Sequence, residues 1–354
     1  MKSKWLVPIV GMLLAFTATA QQGTMLDRHL AAFLYITSCP TNICNTNTQP
    51  LGTCFFVVVP VTPSAETGFS YLVTARHVLF GTNGVLVTNA CFRYRTRMGS
   101  IAYTKTLSGA LVDPSDIFRV YPKPGLNRPP AGEEDLDFVS SGWPRVFTHP
   151  DKSVDLAIIE GWNPKELAAA SFPYDHVLGR DWLKVLKVTE GDEMFFVGMF
   201  TPFFGSTDNY PIYRFGHLSM LAGEKIPWGD EAPQELFLMD ALTFPGNSGA
   251  PAFFQFNTER NPNGARYYLA GVVKGYWSYP QPIGIAEAKA IPVSLENMGV
   301  TAVIPSYFIR DVLDSAVLKQ DRDELAKALS AFKNTKEPKT EGTNRPSRGE
   351  PPSR

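Results

Sequence analysis

Apolar residues along this chain come in short runs, separated by glycine, proline, asparagine and aspartate. The runs are TCFFVVVPV, FSYLVTA, NGVLVTNACFRY, VDLAIIEGW, MFFVGMF, YPIYRFGHLSML, QELFLMDA, GAPAFFQF, RYYLAGVVKGYW and NMGVTAVIP. They are rich in Val, Ile, Phe and Tyr, residues that fit a pleated, half-buried surface. Many short strands at this spacing predict an all-β barrel or sandwich. The pattern lacks the long amphipathic helices that a doubly wound α/β fold places between its strands. Ahead of the runs, LDRHLAAFLYI fits either a short helix or an entry strand. Near the other end the period changes. Ile309, Val312, Leu313 and Ala316 predict a helix over SYFIRDVLDSAVLKQ, and Leu325, Ala328, Leu329 and Phe332 predict another over DELAKALSAF. Residues 121–150, rich in proline and acid, read as a long surface loop or insertion. From about Lys333 the chain is polar and proline-bearing, which predicts a disordered tail.

The first residues follow a different logic. Lys2 and Lys4 precede the apolar run WLVPIVGMLLAF and then TATA, the three regions of a secretory signal peptide. Ala18 and Ala20 place cleavage after residue 20, and the run is short for a membrane span. The expected mature protein is therefore secreted or periplasmic, with no stable membrane insertion. Export changes the meaning of the four cysteines, Cys39, Cys44, Cys54 and Cys91. An even count in an oxidising compartment predicts two disulfides. The expected pairing is Cys39–Cys44, closing CPTNIC, and Cys54–Cys91. A zinc site is the weaker alternative, because the spacing is irregular and no histidine pair lies nearby. The net charge of −1 gives no global basic excess of the kind that points to nucleic acid.

The candidate chemistry starts at FPGNSGAP, residues 244–251. Two glycines around one serine suit a surface turn. They also suit a loop that holds a nucleophile out and aims backbone N–H groups at one spot. A serine needs a base, and the base needs an orienting acid. Of the five histidines (His29, His77, His149, His176 and His217), His77 stands at the end of an apolar strand in YLVTARHVLF. Asp155, in SVDLAIIE, heads another, where burial without a partner is costly. Each residue alone has an ordinary structural use. Together they give the order histidine, aspartate, serine.

LVTARHV, DLAII and DALTFPGNSGAP resemble the three motif blocks of the chymotrypsin/trypsin clan of serine proteases, above all its bacterial HtrA/Deg-like and glutamyl-endopeptidase-like branches. LGTCFFVV, LAGVVKGY and GVTAVIPSYFIRDVL resemble the strand before the histidine block, the strand lining the cleft, and the last strand with its terminal helix. The resemblance runs over roughly residues 30–318 and implies two six-stranded antiparallel β-barrels with a C-terminal helix. It implies a protease domain over 21–320, an extension with a polar tail over 321–354, and no PDZ domain. By the same resemblance, His77 is the general base, Asp155 its orienting partner and Ser248 the nucleophile. The N–H groups of Gly246 and Ser248 form the oxyanion hole. The implied substrate is a polypeptide, and no metal or cofactor is implied. Asn247, where digestive relatives carry aspartate, cannot pair with a new N-terminus.

The resemblance places the specificity pocket at Leu242 and Thr243, with walls from Lys274, Gly275 and Tyr276 and from about Gly299 to Thr301. None of these is acidic, so an apolar or small side chain is expected before the scissile bond. Lys274 stands where the family has a small residue near the triad aspartate. Its side chain either points to solvent or perturbs Asp155. The rival reading is a catalytically inactive protease fold acting as a binding or chaperone module of the cell envelope.

Overall fold

The computed structural model of the chain describes residues 32–36, 49–60, 68–80, 84, 90–95, 101–105, 145–160, 171–203, 205, 209–257, 260, 267–282 and 293–336. Their architecture is mostly β. The first half contributes β1 (Ala32–Ile36), β2 (Gln49–Pro60), β3 (Gly68–Ala75), β4 (Ala90–Arg95), β5 (Ile101–Lys105), β6 (Arg145–Thr148), β7 (Leu156–Glu160) and β8 (Ser171–Pro173). They form one sheet in the order β5-β4-β1-β2-β3-β7-β6, with β8 paired to β2. LDRHLAAFLYI thus supplies a strand, β1, whose backbone is claimed on both sides by β2 and β4.

The second half contributes β9 (Glu193–Met199), β10 (Pro211–Leu221), β13 (Phe237–Asp240), β14 (Pro251–Gln255), β15 (Tyr267–Pro282) and β16 (Val293–Pro305). These close into a six-stranded barrel in the order β10-β13-β16-β15-β14-β9. A two-stranded hairpin, β11 (Ile226–Trp228) with β12 (Glu231–Gln234), stands beside it. Of the two barrels expected, the described residues close one. Among them the ends of the first-half sheet, β5 and β6, do not pair with each other.

Aromatic packing joins the halves. Phe55 of β2 meets Phe172 of β8 edge-on, Phe172 lies 4.9 Å from Phe253 of β14, and Phe253 stacks on Phe195 of β9 at 5.0 Å. All four rings are buried, so this seam is continuous core. Offset and edge-on ring pairs add to the area term that dominates folding.

The helices are few. A single turn, α1 (Arg76–Leu79), follows β3, and α2 (Arg180–Val185) precedes β9. At the end stand α3 (Tyr307–Leu313) and α4 (Ala316–Lys336). The break falls at Asp314–Ser315 and not near residue 320, as the apolar spacing suggested. There Asp314 accepts a hydrogen bond from the Tyr174 hydroxyl. α3 buries Phe308, Ile309, Val312 and Leu313, in line with its periodicity. Arg310 fixes the connector between the halves, donating to the Val177 and Tyr174 carbonyls. Leu325, Ala328, Leu329 and Phe332 lie on α4, with side chains outside the described set. Among the described residues no helix is long and apolar enough to cross a membrane.

Two expectations change here. Residues 145–148, assigned to the end of the insertion, form β6, because their apolar positions pair with β7. The cysteines change too. Cys54 lies on β2 opposite Ala32, and Cys91 on β4 opposite Tyr35, so β1 runs between them. Strands two apart are roughly 9–10 Å from each other, beyond the roughly 7 Å limit of Cα separation for a disulfide. The Cys54–Cys91 pairing is not carried forward. Cys39, Cys44, the signal segment and the polar tail after Lys336 lie outside the described residues.

α4 docks on the first-half sheet through charge. Arg145 of β6 donates to Glu160 of β7 and to Asp321 of α4, and Arg322 donates to the Tyr71 hydroxyl and the Leu313 carbonyl. Burial pushes the Glu160 carboxyl up to about 7, against the pull of Arg145. Removing the shared cation leaves two poorly hydrated carboxylates face to face. Arg145→Met should therefore lower the unfolding free energy by about 3 kcal/mol, read from urea denaturation at neutral pH. Lys319→Met, which removes an exposed 3.8 Å pair with Asp314, should change it by less than about 0.5 kcal/mol. Equal effects of the two would reject a docking role for Arg145.

Candidate active site

The strand register brings His77 and Asp155 together across a separation of 78 residues. β3 and β7 pair antiparallel with Ala75 opposite Leu156. The residues just after β3 therefore lie beside the residue just before β7. The Arg76 N–H donates to the Asp155 carbonyl at 2.9 Å, and the His77 N–H to Asp155 Oδ1 at 2.8 Å. The His77 ring completes the set, with Nδ1 2.6 Å from Asp155 Oδ2. A carboxylate oxygen only accepts, so this contact assigns the proton of the neutral ring to Nδ1 and leaves Nε2 as the acceptor. The imidazole side chain is 46% exposed and the Asp155 side chain 4%.

Burial alone would raise the Asp155 carboxyl. The His77 ring, Lys274 and the His77 N–H together outweigh that and hold the carboxyl down at about 2.

Ser248 sits in a turn whose shape depends on two glycines. Gly246 has φ +94° and Gly249 φ +84°, both in the left-handed region. A Cβ on Gly246 would lie 2.4 Å from Thr201 Cγ2, and one on Gly249 would lie 2.0 Å from the Thr53 carbonyl oxygen. Neither position has room for a side chain. The amides of Asn247 and Ala250 close the turn onto Phe244 and Asn247, and that of Gly249 donates to the Val273 carbonyl of β15. Among the described residues the N–H groups of Gly246 and Ser248 have no protein partner. They are the two amides expected to face an oxyanion.

Two residues support the turn in ways the sequence did not reveal. Asn247, 2% exposed, accepts from the Phe244 N–H and donates to the Met199 carbonyl at 2.7 Å. It is a strut, and more than a neutral stand-in for aspartate. Thr53 on β2 holds the turn from the other sheet. Its N–H donates to the Ser248 carbonyl at 2.8 Å and its hydroxyl to the Gly246 carbonyl at 2.7 Å. The same hydroxyl accepts from the Met199 N–H at 3.0 Å. Gly52 lets β2 come this close, since a Cβ there would meet the Ser248 carbonyl oxygen at 2.8 Å. The available signal was Gly52-Thr53 itself, a small and a polar residue opening an otherwise apolar strand. Glu231, which accepts from the Lys274 ammonium beside the turn, left no signal in the sequence.

The serine hydroxyl does not reach the histidine in this state. Ser248 Oγ donates to the Lys274 carbonyl at 2.9 Å, and among the described residues no hydrogen bond joins it to His77. The cause is local. The Gly249–Val273 contact presses the turn onto β15, where that carbonyl is the nearest acceptor.

The expected pocket residues separate. Thr243 and Thr301 are buried and bonded hydroxyl to hydroxyl, with Thr301 also donating to the Ala241 carbonyl. Leu242 is 46% exposed. Gly275 and Tyr276 are half-buried on β15. Lys274 is neither a wall nor solvent-facing. Its side chain is 4% exposed, and its ammonium donates to Asp155 Oδ2 and Glu231 Oε2, both at 3.0 Å. A cavity of about 460 Å³ lies on the other side of the serine turn, lined by Met199, Phe200, Arg214, Leu242 and Phe244 among others. Only Leu242 of the expected pocket set borders it. His29 lies outside the described residues, and the other histidines stand elsewhere: His149 is buried against Phe308 and faces Asp311, His176 packs near Tyr268, and His217 is exposed on β10. Among the described residues no group of three or more His, Cys, Asp or Glu side chains is arranged to hold a metal ion.

No protein-family model and no curated protein matches the chain. Among solved structures, the MamO protease domain from Magnetospirillum magneticum (apo form) is similar over 81% of this chain and 96% of its own, at 13% identity and a TM-score of 0.43. Deg5 is similar over 73% of this chain and 85% of its own, at 15% identity and a TM-score of 0.36.

The brace from Thr53 is testable without any assay of activity. Thr53→Val keeps the shape but leaves the buried Gly246 carbonyl and Met199 N–H short of a partner. The expected loss is about 1–3 kcal/mol of unfolding free energy, measured by thermal or urea denaturation. Thr53→Ser should retain most of the stability. A valine variant as stable as the wild type would show that the turn stands without the brace.

Proposed function

We propose that this chain is an exported serine endopeptidase of chymotrypsin type. The observation that carries the reading is one arrangement. A buried carboxylate lies 2.6 Å from His77 Nδ1, and the serine turn opposite carries two amides with no other partner among the described residues. In this reading the closed barrel is the second of a pair, the first-half sheet is the body of the other, and the protease unit runs over residues 21–320. The signal segment directs it to the periplasm or the medium, and its substrate is a polypeptide.

The chemistry follows from the geometry. With substrate in the cleft, rotation about the Ser248 side chain takes Oγ from the Lys274 carbonyl to His77 Nε2. The imidazole removes the hydroxyl proton as Oγ bonds to the substrate carbonyl carbon. The new oxyanion is met by the Gly246 and Ser248 N–H groups, each worth about 3–4 kcal/mol of transition-state stabilisation in such sites. Asp155, ionised because its carboxyl is held near 2, stabilises the imidazolium. His77 then gives its proton to the leaving amine, and the acyl-enzyme is hydrolysed by water activated the same way. The expected pocket positions hold no carboxylate and the Thr243–Thr301 pair is closed on itself, which favours a small or apolar side chain before the scissile bond.

A second reading, an inactive protease fold that binds polypeptides, has a specific observation behind it. The serine hydroxyl rests on a backbone carbonyl and the triad aspartate already pairs with a lysine. One experiment separates the two. The purified mature protein should label with a fluorophosphonate probe, and Ser248→Ala should abolish both labelling and peptide hydrolysis with its melting temperature nearly unchanged. Folded wild-type protein that neither labels nor hydrolyses a diverse peptide library would establish the second reading.

A further inference from the structure

Lys274 forms a bridge that the mechanism above does not use. It leaves β15 beside the serine turn, and its aliphatic stem is buried. Its ammonium lies 5.4 Å from the centre of the Trp228 ring on β11, which in turn meets Trp277 edge-on. Of its three N–H donors, one reaches Asp155 Oδ2 and one Glu231 Oε2 on β12. Asp155 Oδ2 is therefore shared between the His77 ring and the lysine. Glu231 is 54% exposed and also accepts from Gln234. Among the described residues no other charged side chain hydrogen-bonds to or pairs with His77, Asp155, Lys274 or Glu231.

We propose that Lys274 is a positioning residue that sets the basicity of the His77–Asp155 pair, and that Glu231, on the β11–β12 hairpin, sets how strongly it does so. The proposal rests on the serine-hydrolase reading of the site. A fixed cation on the carboxylate oxygen that faces the imidazole opposes the positive charge the ring gains on protonation. A small neutral residue at this position would remove that opposition. Glu231 draws the ammonium away from Asp155 and offsets part of its charge. The hairpin is thus an electrostatic control on the base: a change that moves Glu231 from the lysine makes the pair harder to protonate.

The two charges give opposite signs, which a purely structural salt bridge does not. The test follows the histidine ring resonances of the intact mature protein by NMR across pH, with His77 assigned by its loss in His77→Gln. Fluorophosphonate labelling rates are measured over the same pH range. Lys274→Met should move the His77 titration and the acid limb of labelling up by about one pH unit. Glu231→Gln should move both down by a smaller amount, and Lys274→Arg should restore the wild-type position. Lys274→Met takes a charged donor from a buried carboxylate and can lower stability, so Glu231→Gln, a change at a half-exposed side chain, also stands as a test by itself. A Glu231→Gln midpoint that is unmoved or raised overturns the proposal. So does a Lys274→Met protein that is less stable but titrates as the wild type does. The ring titration reads the charges whether or not Ser248 reacts. A wild type that fails to label counts against the hydrolase reading and leaves this result separately legible.

Discussion

Thr53 holds the two halves of the molecule at one point. Its N–H and hydroxyl reach the Ser248 and Gly246 carbonyls, and its own carbonyl accepts from the Thr74 hydroxyl. Thr74 stands three residues before His77, on the strand that presents it. The histidine and the serine therefore share one threonine as their common support, although one belongs to the first-half sheet and the other to the closed barrel. Buried backbone groups must find partners, and here the partners lie across the junction. The aromatic seam fixes how the halves pack. The Thr53 bonds fix where the serine turn stands against that packing. Gly52 and Gly249 follow from this constraint, since a side chain at either would push the backbones apart.

How much of this was legible beforehand depends on whether the cause was local. The strand runs carried period and composition, and nearly all return as strands. His77 and Asp155 were found because each stands at the end of an apolar run, where a polar residue is conspicuous. Their contact depends on the pairing of Ala75 with Leu156, and no local pattern specifies that. The serine turn announced itself through glycines that only a left-handed backbone explains. Thr53 was harder to read, because a threonine in a strand is ordinary until the chain that passes beside it is known. Cys54 and Cys91 failed as a pair for the same reason. Their spacing fits a bridge in sequence, but β1 inserts between their strands.

Lys274 marks the limit of reading by analogy. Motif alignment put it beside Asp155 but could not say which way the side chain points. Its burial depends on Glu231 and Trp228, which arrive from a hairpin some forty residues upstream. A lysine is stable in such a place only when carboxylates take its charge. The fold supplies two, so the ammonium stays and the pocket wall it was expected to form is absent.

Strand β7 shows why the surroundings of a carboxylate matter more than its burial. Asp155 immediately precedes the strand and Glu160 ends it, and both are buried. Asp155 accepts from the His77 N–H, the His77 ring and Lys274, and its carboxyl is held down at about 2. Among the described residues Glu160 accepts side-chain hydrogen bonds from Arg145 alone and shares that donor with Asp321, and burial pushes its carboxyl up to about 7. Desolvation acts on both, so the donors decide the sign. The Asp155 end of β7 is thereby kept charged beside the His77 ring. The Glu160 end ties β7 to β6 and α4 through the shared Arg145. Two carboxylates that bracket β7 thus hold their protons very differently, distinguished by the number of donors that neighbouring elements deliver to each.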